Sequence, residues 1–303
     1  METESDIVFG DIVSVVCCSY NNFQFFEDCI NSIAMQDYPA IEVIFTDDCS
    51  EINAYNDFVE RVKARLSGSA NISYKLLRNS INQGTVINAA NGIKEAKGKI
   101  ILPLAFDDLF YEKSTIRNIV NFFIDNKAKF VTTKRLNFNE DSEDKQVFSE
   151  NPSPAEVAIL KKDNLSIIEY ILTKQNFIGG CNTYFTKELF LQCDFDYRYR
   201  LVEDLPFYYK LLMSGEKLFY METSTILYRT AYQKKVSKGV AKDMVLFYSN
   251  LSKDTRLSRK KRRYSKFAKE LYIYRNISKK NVFKLLLYPD CMLFKYRYKV
   301  KHR

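Results

Sequence analysis

The chain has 303 residues, enough to bury a sizeable core as one large domain or two smaller ones. Its 46% hydrophobic and 27% charged content is that of a folded globular protein and excludes a disordered one. The net charge of +9 is unevenly placed: residues 253–303 carry 18 Lys and Arg against 3 acids, a net +15, which leaves the preceding residues at −6.

No run of about 18 apolar residues reads as a membrane span. Residues 1–10 are acidic and lack the charged-then-apolar pattern of an export signal, so a cytosolic protein is expected. The seven cysteines (17, 18, 29, 49, 181, 193 and 291) form no C-x-x-C pair and read as free thiols in a reducing compartment. His302 is the only histidine, which excludes histidine-based zinc sites and triads, so a general base must be a carboxylate.

The first third alternates two periods. IVSVVCC (12–18) is a continuous β-branched run, as expected of a strand buried on both faces. Residues 22–35 place Phe23, Phe26, Ile30 and Ile33 at helical spacing. IEVIFT (41–46) reads as a second strand, followed by a helix carrying Phe58, Val59, Val62 and Leu66. ISYKLLR (72–78) is a third strand, residues 88–96 a third helix, and KIILPLA (99–105) a fourth strand that halts at Phe106-Asp107-Asp108. This repetition predicts an α/β fold with a parallel, doubly wound sheet. Residues 109–195 look less regular, with a strand-like KFVTT (129–133), a polar NFNEDSEDK (137–145) and a loop-like QNFIGGCNTYFTKELF (175–190). VEDLPFYYKLLMSG (202–215) reads as a helix, KLFYME (217–222) and ILYR (226–229) as strands, and the chain beyond about residue 240 as amphipathic helix.

In open α/β sheets a ligand lies beyond the carboxyl ends of the strands. Ser19-Tyr20, Asp47-Asp48 and Asp107-Asp108 fall at those positions. An aromatic ring can stack on a base, a carboxylate can accept from base or ribose, and a second carboxylate pair can hold a divalent metal against a departing diphosphate. Taken singly, an Asp-Asp pair at a strand end is more often a turn or a helix N-cap than a ligand site; the weight comes from its place in an ordered series.

Residues 12–108 resemble the nucleotide-binding half of the family 2 glycosyltransferases, which have the GT-A fold. VSVVCCSYNNFQFFEDCINSIAMQDYPAIEVIFTDDCS is similar to that family's opening strand, first helix and D-D-G-S element, and NQGTVINAANGIKEAKGKIILPLAFDD (82–108) to its N-x-G and D-x-D-containing segment. The resemblance implies a Rossmann-like, mostly parallel sheet flanked by helices. It implies that Tyr20, beside Ser19, stacks on the base, that Asp48 accepts its imino hydrogen with Asp47 in support, and that Asn82 and Gly84 shape a loop against the nucleotide. Asp108 would be the principal metal ligand, for Mn2+ or Mg2+, and Asp107 would hold ribose or metal. Cys49 replaces the family's usual glycine, and Ala105 stands where many members carry the first Asp of D-x-D-D.

FDYRYRLVEDLPFYYKLLMSG (195–215) resembles the family's E-D element at a helix start, implying Asp204 as general base, with Glu203 the alternative. The same Asp204-Leu205-Pro206 is also a fitting N-cap. Gly179 and Gly180 resemble a glycine pair lining the acceptor and donor-sugar region. ILYRTAY (226–232) resembles an element that often reads Y-R-x-H; Ala231 stands at the histidine's place, leaving Arg229 or a tail lysine to supply positive charge.

These expectations divide the chain into a GT-A domain over residues 1–240, with a nucleotide half (1–108) and an acceptor half (109–240), and a basic helical extension over 241–303. The extension fits a helical hairpin packed on the domain, an anionic-membrane anchor or a nucleic-acid binder. The membrane anchor is preferred, at the inner face of the cytoplasmic membrane, because family relatives act there on lipid-linked acceptors. The acidic body argues against nucleic acid. The expected activity is inverting, metal-dependent transfer from a nucleotide-sugar, with UDP the expected nucleotide, to a lipid-linked or growing surface polysaccharide. The alternatives are a silent nucleotide-sugar-binding subunit and a sugar nucleotidyltransferase. The latter lacks its glycine-rich basic loop here, just as no G-x-G-x-x-G marks a dinucleotide enzyme.

Overall fold

The structure is a computed structural model that describes residues 6–139, 144–174, 176–230, 236–279, 282–293 and 295. Ala231 and His302 lie outside the described residues. The first third runs β1 (Val13–Ser19), α1 (Phe26–Ala34), β2 (Ile41–Asp47), α2 (Ile52–Leu66), β3 (Ile72–Arg78), α3 (Thr85–Glu95) and β4 (Ile100–Pro103). Strands β3, β2, β1 and β4 lie side by side in that order and all pair in parallel, as the strand-helix repetition requires.

β1 is buried on both faces because helices cover both. Val13, Val15 and Cys17 pack toward Phe26, Ile30 and Ile33 of α1 and Phe58 and Val62 of α2, whereas Val16 faces Val86, Ala90 and Ile93 of α3. Phe26, Ile30 and Ile33 each contribute about 1.5–3 kcal/mol by leaving water.

The second half is more regular than its sequence suggests. It contains β5 (Leu109–Phe110), α4 (Thr115–Asn126), β6 (Phe130–Asn139), β7 (Val147–Asn151), α5 (Pro154–Leu160) and α6 (Asn164–Thr173). The loop expected over 175–190 holds β8 (Thr183–Thr186) and the start of α7 (Lys187–Cys193); α8 (Asp204–Met213) follows. The two strands expected at 217–222 and 226–229 are one, β9 (Phe219–Thr230), which runs parallel to β6 with a shift in register at Thr133 to Arg135. The polar stretch between them pairs with the long β6 and so does not interrupt it. The sheet continues from β4 through β8, β6 and β9 to β5, with β7 beside β6. β8 is antiparallel to both β4 and β6, so the second half is mixed where the first is purely parallel.

A boundary at residue 240 falls inside α9 (Lys238–Leu251), and this corrects the expected division. Met244, Phe247 and Leu251 of α9 belong to the main core with α3, α6 and α8. α10 (Arg259–Asn276) and α11 (Val282–Leu285) form a smaller cluster through Tyr264, Phe267, Ala268, Leu285 and Cys291. Tyr264 Oη donates to the Thr173 carbonyl at 2.8 Å, and Lys261 pairs with Glu169 at 3.0 Å, tying α10 to α6.

Candidate active site

A cleft of about 390 Å³ opens at the carboxyl ends of β1 and β4 and the N-terminal ends of α3 and α8. Ser19, Tyr20 and Asp48 line one part and Gly180, Glu203 and Asp204 another, so six of the thirteen expected site residues meet in one cavity. Tyr20 is 51% exposed, which leaves its ring free to receive a planar ligand.

Asp47 faces inward. It accepts from Ser19 Oγ at 3.1 Å, the Ser50 N–H at 2.9 Å and Arg78 Nε at 3.2 Å, and from the Ser50 hydroxyl. It therefore braces the turn after β2. Cys49, at the family's glycine position, takes φ +66°, so the left-handed turn persists with a side chain in place.

Asp48 stands at the cleft wall with three donors: Asn79 Nδ2 at 2.9 Å, the Gln83 N–H at 2.8 Å and the Gly84 N–H at 2.7 Å. A carboxylate offers about four lone-pair sites, so one further donor can be accommodated. Asn82 and Gly84 do not line the cleft themselves. Gly84 has φ +92°, and a Cβ there would meet Arg200 Cγ at 2.4 Å and Arg200 O at 2.5 Å. The close approach that this glycine permits is thus to Arg200, whose guanidinium also donates to Asn82 O at 3.0 Å and Gln83 O at 3.2 Å.

The second carboxylate pair is split by burial. Asp108 is 2% exposed, and its Oδ1 accepts from the Arg229 N–H at 3.3 Å. Burial, followed by neighbouring Asp107, pushes the Asp108 carboxyl up to about 8. Asp107 is half-buried, with its carbonyl accepting from Arg229 Nε at 3.2 Å. Among the described residues no group of three or more His, Cys, Asp or Glu side chains converges as a metal cage. Neither Asp107 nor Asp108 lines the cleft; a divalent ion on a nucleotide takes only one or two carboxylates besides the phosphates, and the half-buried Asp107 is the one of the pair open to such an ion. Ala105, which stands at the place of the first Asp of the expected D-x-D-D pattern, lines the cleft.

Arg229 cannot serve as a free cation for a diphosphate, which corrects the expectation from sequence. It is 6% exposed, its guanidinium lies 3.9 Å from the Phe25 ring centroid and 4.7 Å from that of Phe138, and Nη2 pairs with Asp28 at 2.6 Å. Its charge is paired with Asp28 of α1, while Nε and the backbone N–H fasten β9 to the Asp107-Asp108 turn.

Asp204 is the first residue of α8 and Glu203 its N-cap, which makes no side-chain cap bond, so Asp204 is not the N-cap that local sequence allows. The Asp204 Oδ1 accepts from the Leu205 N–H at 2.6 Å, and Gly180 lies beside it, where a Cβ would make ordinary contact at 3.4 Å from Asp204 Oδ2. Burial raises the Asp204 carboxyl, and burial together with Asp204 pushes Glu203 up to about 8. Two adjacent carboxyls with raised affinity for protons in a cleft are suited to proton transfer near neutral pH. Gly179 points elsewhere: a Cβ there would meet Arg135 Nη1 at 2.5 Å.

Arg135 is the functional candidate that sequence reading missed. Its guanidinium stacks 4.2 Å from the Tyr228 centroid, Nη1 donates to Cys181 Sγ at 3.8 Å, and its charge offsets a small part of the rise that burial imposes on Asp108 and Asp204. The available signal was Lys134-Arg135 interrupting an otherwise strand-like run. Arg200 was also missed, since nothing local in YRYRLVED announces that it bridges to a loop more than a hundred residues earlier.

The sequence profile of glycosyl transferase family 2 matches residues 14–191. WcaA of Escherichia coli (strain K12), named as a glycosyl transferase of colanic acid biosynthesis, is 25% identical over 267 residues, covering 88% of each chain. The poly(ribitol-phosphate) β-N-acetylglucosaminyltransferase TarS of Staphylococcus aureus (strain Mu50 / ATCC 700699) is 24% identical over 224 residues, 68% of this chain, which spans only 36% of the length of TarS. Among solved structures, TarS 1–349 with UDP-GlcNAc superimposes with a TM-score of 0.59 at 17% identity, covering 93% of this chain and 78% of that one. The mannosyltransferase PcManGT from Pyrobaculum calidifontis, in complex with GDP-Man and Mn2+, gives 0.56 at 15% identity, covering 97% and 76%. These structures share the GT-A fold, and the profile spans more than half of the sequence with the cleft's first-half residues inside it. The chain belongs to glycosyl transferase family 2.

Proposed function

We propose that the chain is an inverting, metal-dependent glycosyltransferase that moves a sugar from a UDP-sugar to a hydroxyl of a surface polysaccharide or lipid-linked saccharide. The observation that carries this reading is one cleft holding an exposed Tyr20 and Asp48 on one side and Glu203-Asp204 on the other. The names of TarS and WcaA, and the UDP-GlcNAc bound by TarS, support the donor and acceptor classes.

In this reading Tyr20 stacks on the base and Asp48 accepts its imino hydrogen at the remaining lone pair. Asp204 takes the proton of the acceptor hydroxyl while that oxygen attacks the anomeric carbon from the face opposite the diphosphate. A single displacement inverts the configuration. The Leu205 N–H and the N-terminus of α8 favour the ionised base, offsetting part of the burial that opposes it. Mn2+ or Mg2+ would be held by Asp107, with the more buried Asp108 behind it, the reverse of the order expected from sequence. A bound ion would neutralise charge on the departing diphosphate.

We infer that the C-terminal helices rest on an anionic membrane surface, with the enzyme peripheral at the inner face; exposed apolar side chains beside lysines support this. Phe283, Leu286 and Leu287 are 76%, 64% and 67% exposed, with Ile277 and Leu293 also exposed, and Lys279 and Lys284 lie among them. No helix among the described residues is long and apolar enough to cross a membrane. Ala105 in the cleft wall motivates a second reading, a subunit that binds nucleotide-sugar without turning it over.

Calorimetry of UDP with and without Mn2+, then UDP release from a panel of UDP-sugars, tests the assignment. Metal-dependent binding weakened in Asp107→Asn, with release abolished in Asp204→Asn, is expected. Binding without release in the presence of acceptor selects the silent subunit, and absence of any nucleoside diphosphate binding refutes both.

A further inference from the structure

The loop that delivers Glu203 and Asp204 to the cleft is held from the C-terminal side of the molecule. Three consecutive backbone N–H groups, of Arg200, Leu201 and Val202, donate to Oδ2 of Asp243 on α9, at 2.9, 2.6 and 3.1 Å. Asp243 is 7% exposed, so its carboxylate is committed to this loop and not to solvent. Three convergent N–H groups on one ionised oxygen make strong, directional bonds that fix backbone position. α9 grips the same segment twice more. Asn250 Nδ2 donates to Tyr199 Oη at 2.9 Å, and Gly239 packs so closely that a Cβ there would meet Leu201 Cδ1 at 2.5 Å.

The held segment also reaches the donor side. The Arg200 carbonyl accepts from the Val86 N–H at 3.1 Å, and its guanidinium holds Asn82 and Gln83, the loop that Asp48 secures by the N–H groups of Gln83 and Gly84. Residues 199–202 are therefore a bridge: one end abuts the nucleotide loop, the other runs straight into Glu203-Asp204, and α9 clamps the middle.

We propose that Asp243 is a positioning residue of the transfer reaction, setting through residues 200–202 where Asp204 stands relative to the bound donor. The first helix of the C-terminal extension is thereby part of the catalytic apparatus. This rests on the reading of Asp204 as general base. Asp243 touches no substrate; it acts on distance and angle, to which displacement at a carbon centre is steeply sensitive.

The test uses the full chain with Asp243→Asn, which keeps the shape and loses the charge. UDP affinity with Mn2+ is measured by calorimetry, turnover by UDP release with the donor that wild type uses, and loop order by amide hydrogen exchange. Faster exchange at residues 200–202 is expected, with kcat lower by about 10- to 100-fold. Donor KM and UDP affinity should stay within about threefold of wild type, a split that general destabilisation does not produce. A kcat unchanged in Asp243→Asn, or a kcat and UDP affinity falling together with the folded fraction, overturns the role. If that variant does not fold, Asn250→Ala releases the next grip of the same helix; a smaller fall in kcat at unmoved KM supports the proposal, and an unchanged kcat overturns it. If wild type turns over no donor, the transferase reading and this role fall together. An active wild type beside a fully active Asp243→Asn removes this role alone.

Discussion

Replacing Gly84 by alanine tests how the nucleotide loop is seated. Its φ of +92° and ψ of 162° lie in a region open almost only to glycine, which costs an alanine about 1–3 kcal/mol. The new Cβ would stand 2.5 Å from Arg200 O, a backbone atom that cannot swing away because it accepts from the Val86 N–H. Relief requires the loop to part from Arg200, which pulls the Gln83 and Gly84 N–H groups from Asp48. Losing one such charge-assisted bond costs about 1.5–3 kcal/mol. Together these predict a loss of roughly 3–5 kcal/mol. At about 2–4 °C per kcal/mol the melting temperature should fall by roughly 10 °C. Gly68→Ala is the control: φ is +87° there, but nothing lies within 4 Å, so only the backbone cost of about 1–2 kcal/mol applies. Thermal unfolding of both variants, with UDP calorimetry on each, measures the difference. Equal melting temperatures, with UDP affinity intact in Gly84→Ala, would refute the reasoning that Arg200 and Asp48 seat this loop.

The Glu203-Asp204 pair predicts a pH dependence. Both carboxyls are raised, Glu203 to about 8 from an ordinary 4.5, so the folded chain keeps protons that the unfolded chain has released. Stability should therefore fall as pH rises from 4.5 to about 8 and level off above; Glu203→Gln should flatten the fall, as thermal unfolding without donor will show. Turnover should rise with pH above the ordinary carboxylate range, because burial raises the Asp204 carboxyl and the base must be ionised; a rate that does not rise with pH would argue against Asp204 in that role. At the C-terminal helices, Phe283→Ser combined with Leu286→Ser and Leu287→Ser should weaken flotation with phosphatidylglycerol vesicles by roughly tenfold or more. Turnover of a soluble acceptor should be untouched, since these side chains are 76%, 64% and 67% exposed; undiminished vesicle binding would place the membrane contact elsewhere.

The first third of the fold was legible because its signals are local. A continuous apolar run such as Val13–Ser19 can bury its side chains only in a sheet covered on both faces, and Phe26, Ile30 and Ile33 at helical spacing supply one cover. Topology then carries Ser19-Tyr20, Asp48 and Asp107-Asp108 to the strand ends, and of these Ser19, Tyr20 and Asp48 line the cleft. The second half hid β8 within FIGGCNTYFT because a four-residue strand that runs directly into a helix has no period of its own; it forms because β4 and β6 pair with it.

The roles of individual polar groups were decided only by tertiary structure, because partners far apart in the chain assign them. Nothing near Arg229 reveals that Asp28, two hundred residues earlier, and two phenylalanine rings will consume its charge. Asp107 and Asp108 are neighbours in sequence, yet burial separates a half-exposed carboxylate from one held near 8. Asp243 sits in what reads as an amphipathic tail, and only packing brings it against the loop that carries Glu203 and Asp204. Periodicity and strand-end position follow from bonds between near neighbours, whereas desolvation and charge pairing depend on which surfaces the finished fold presses together.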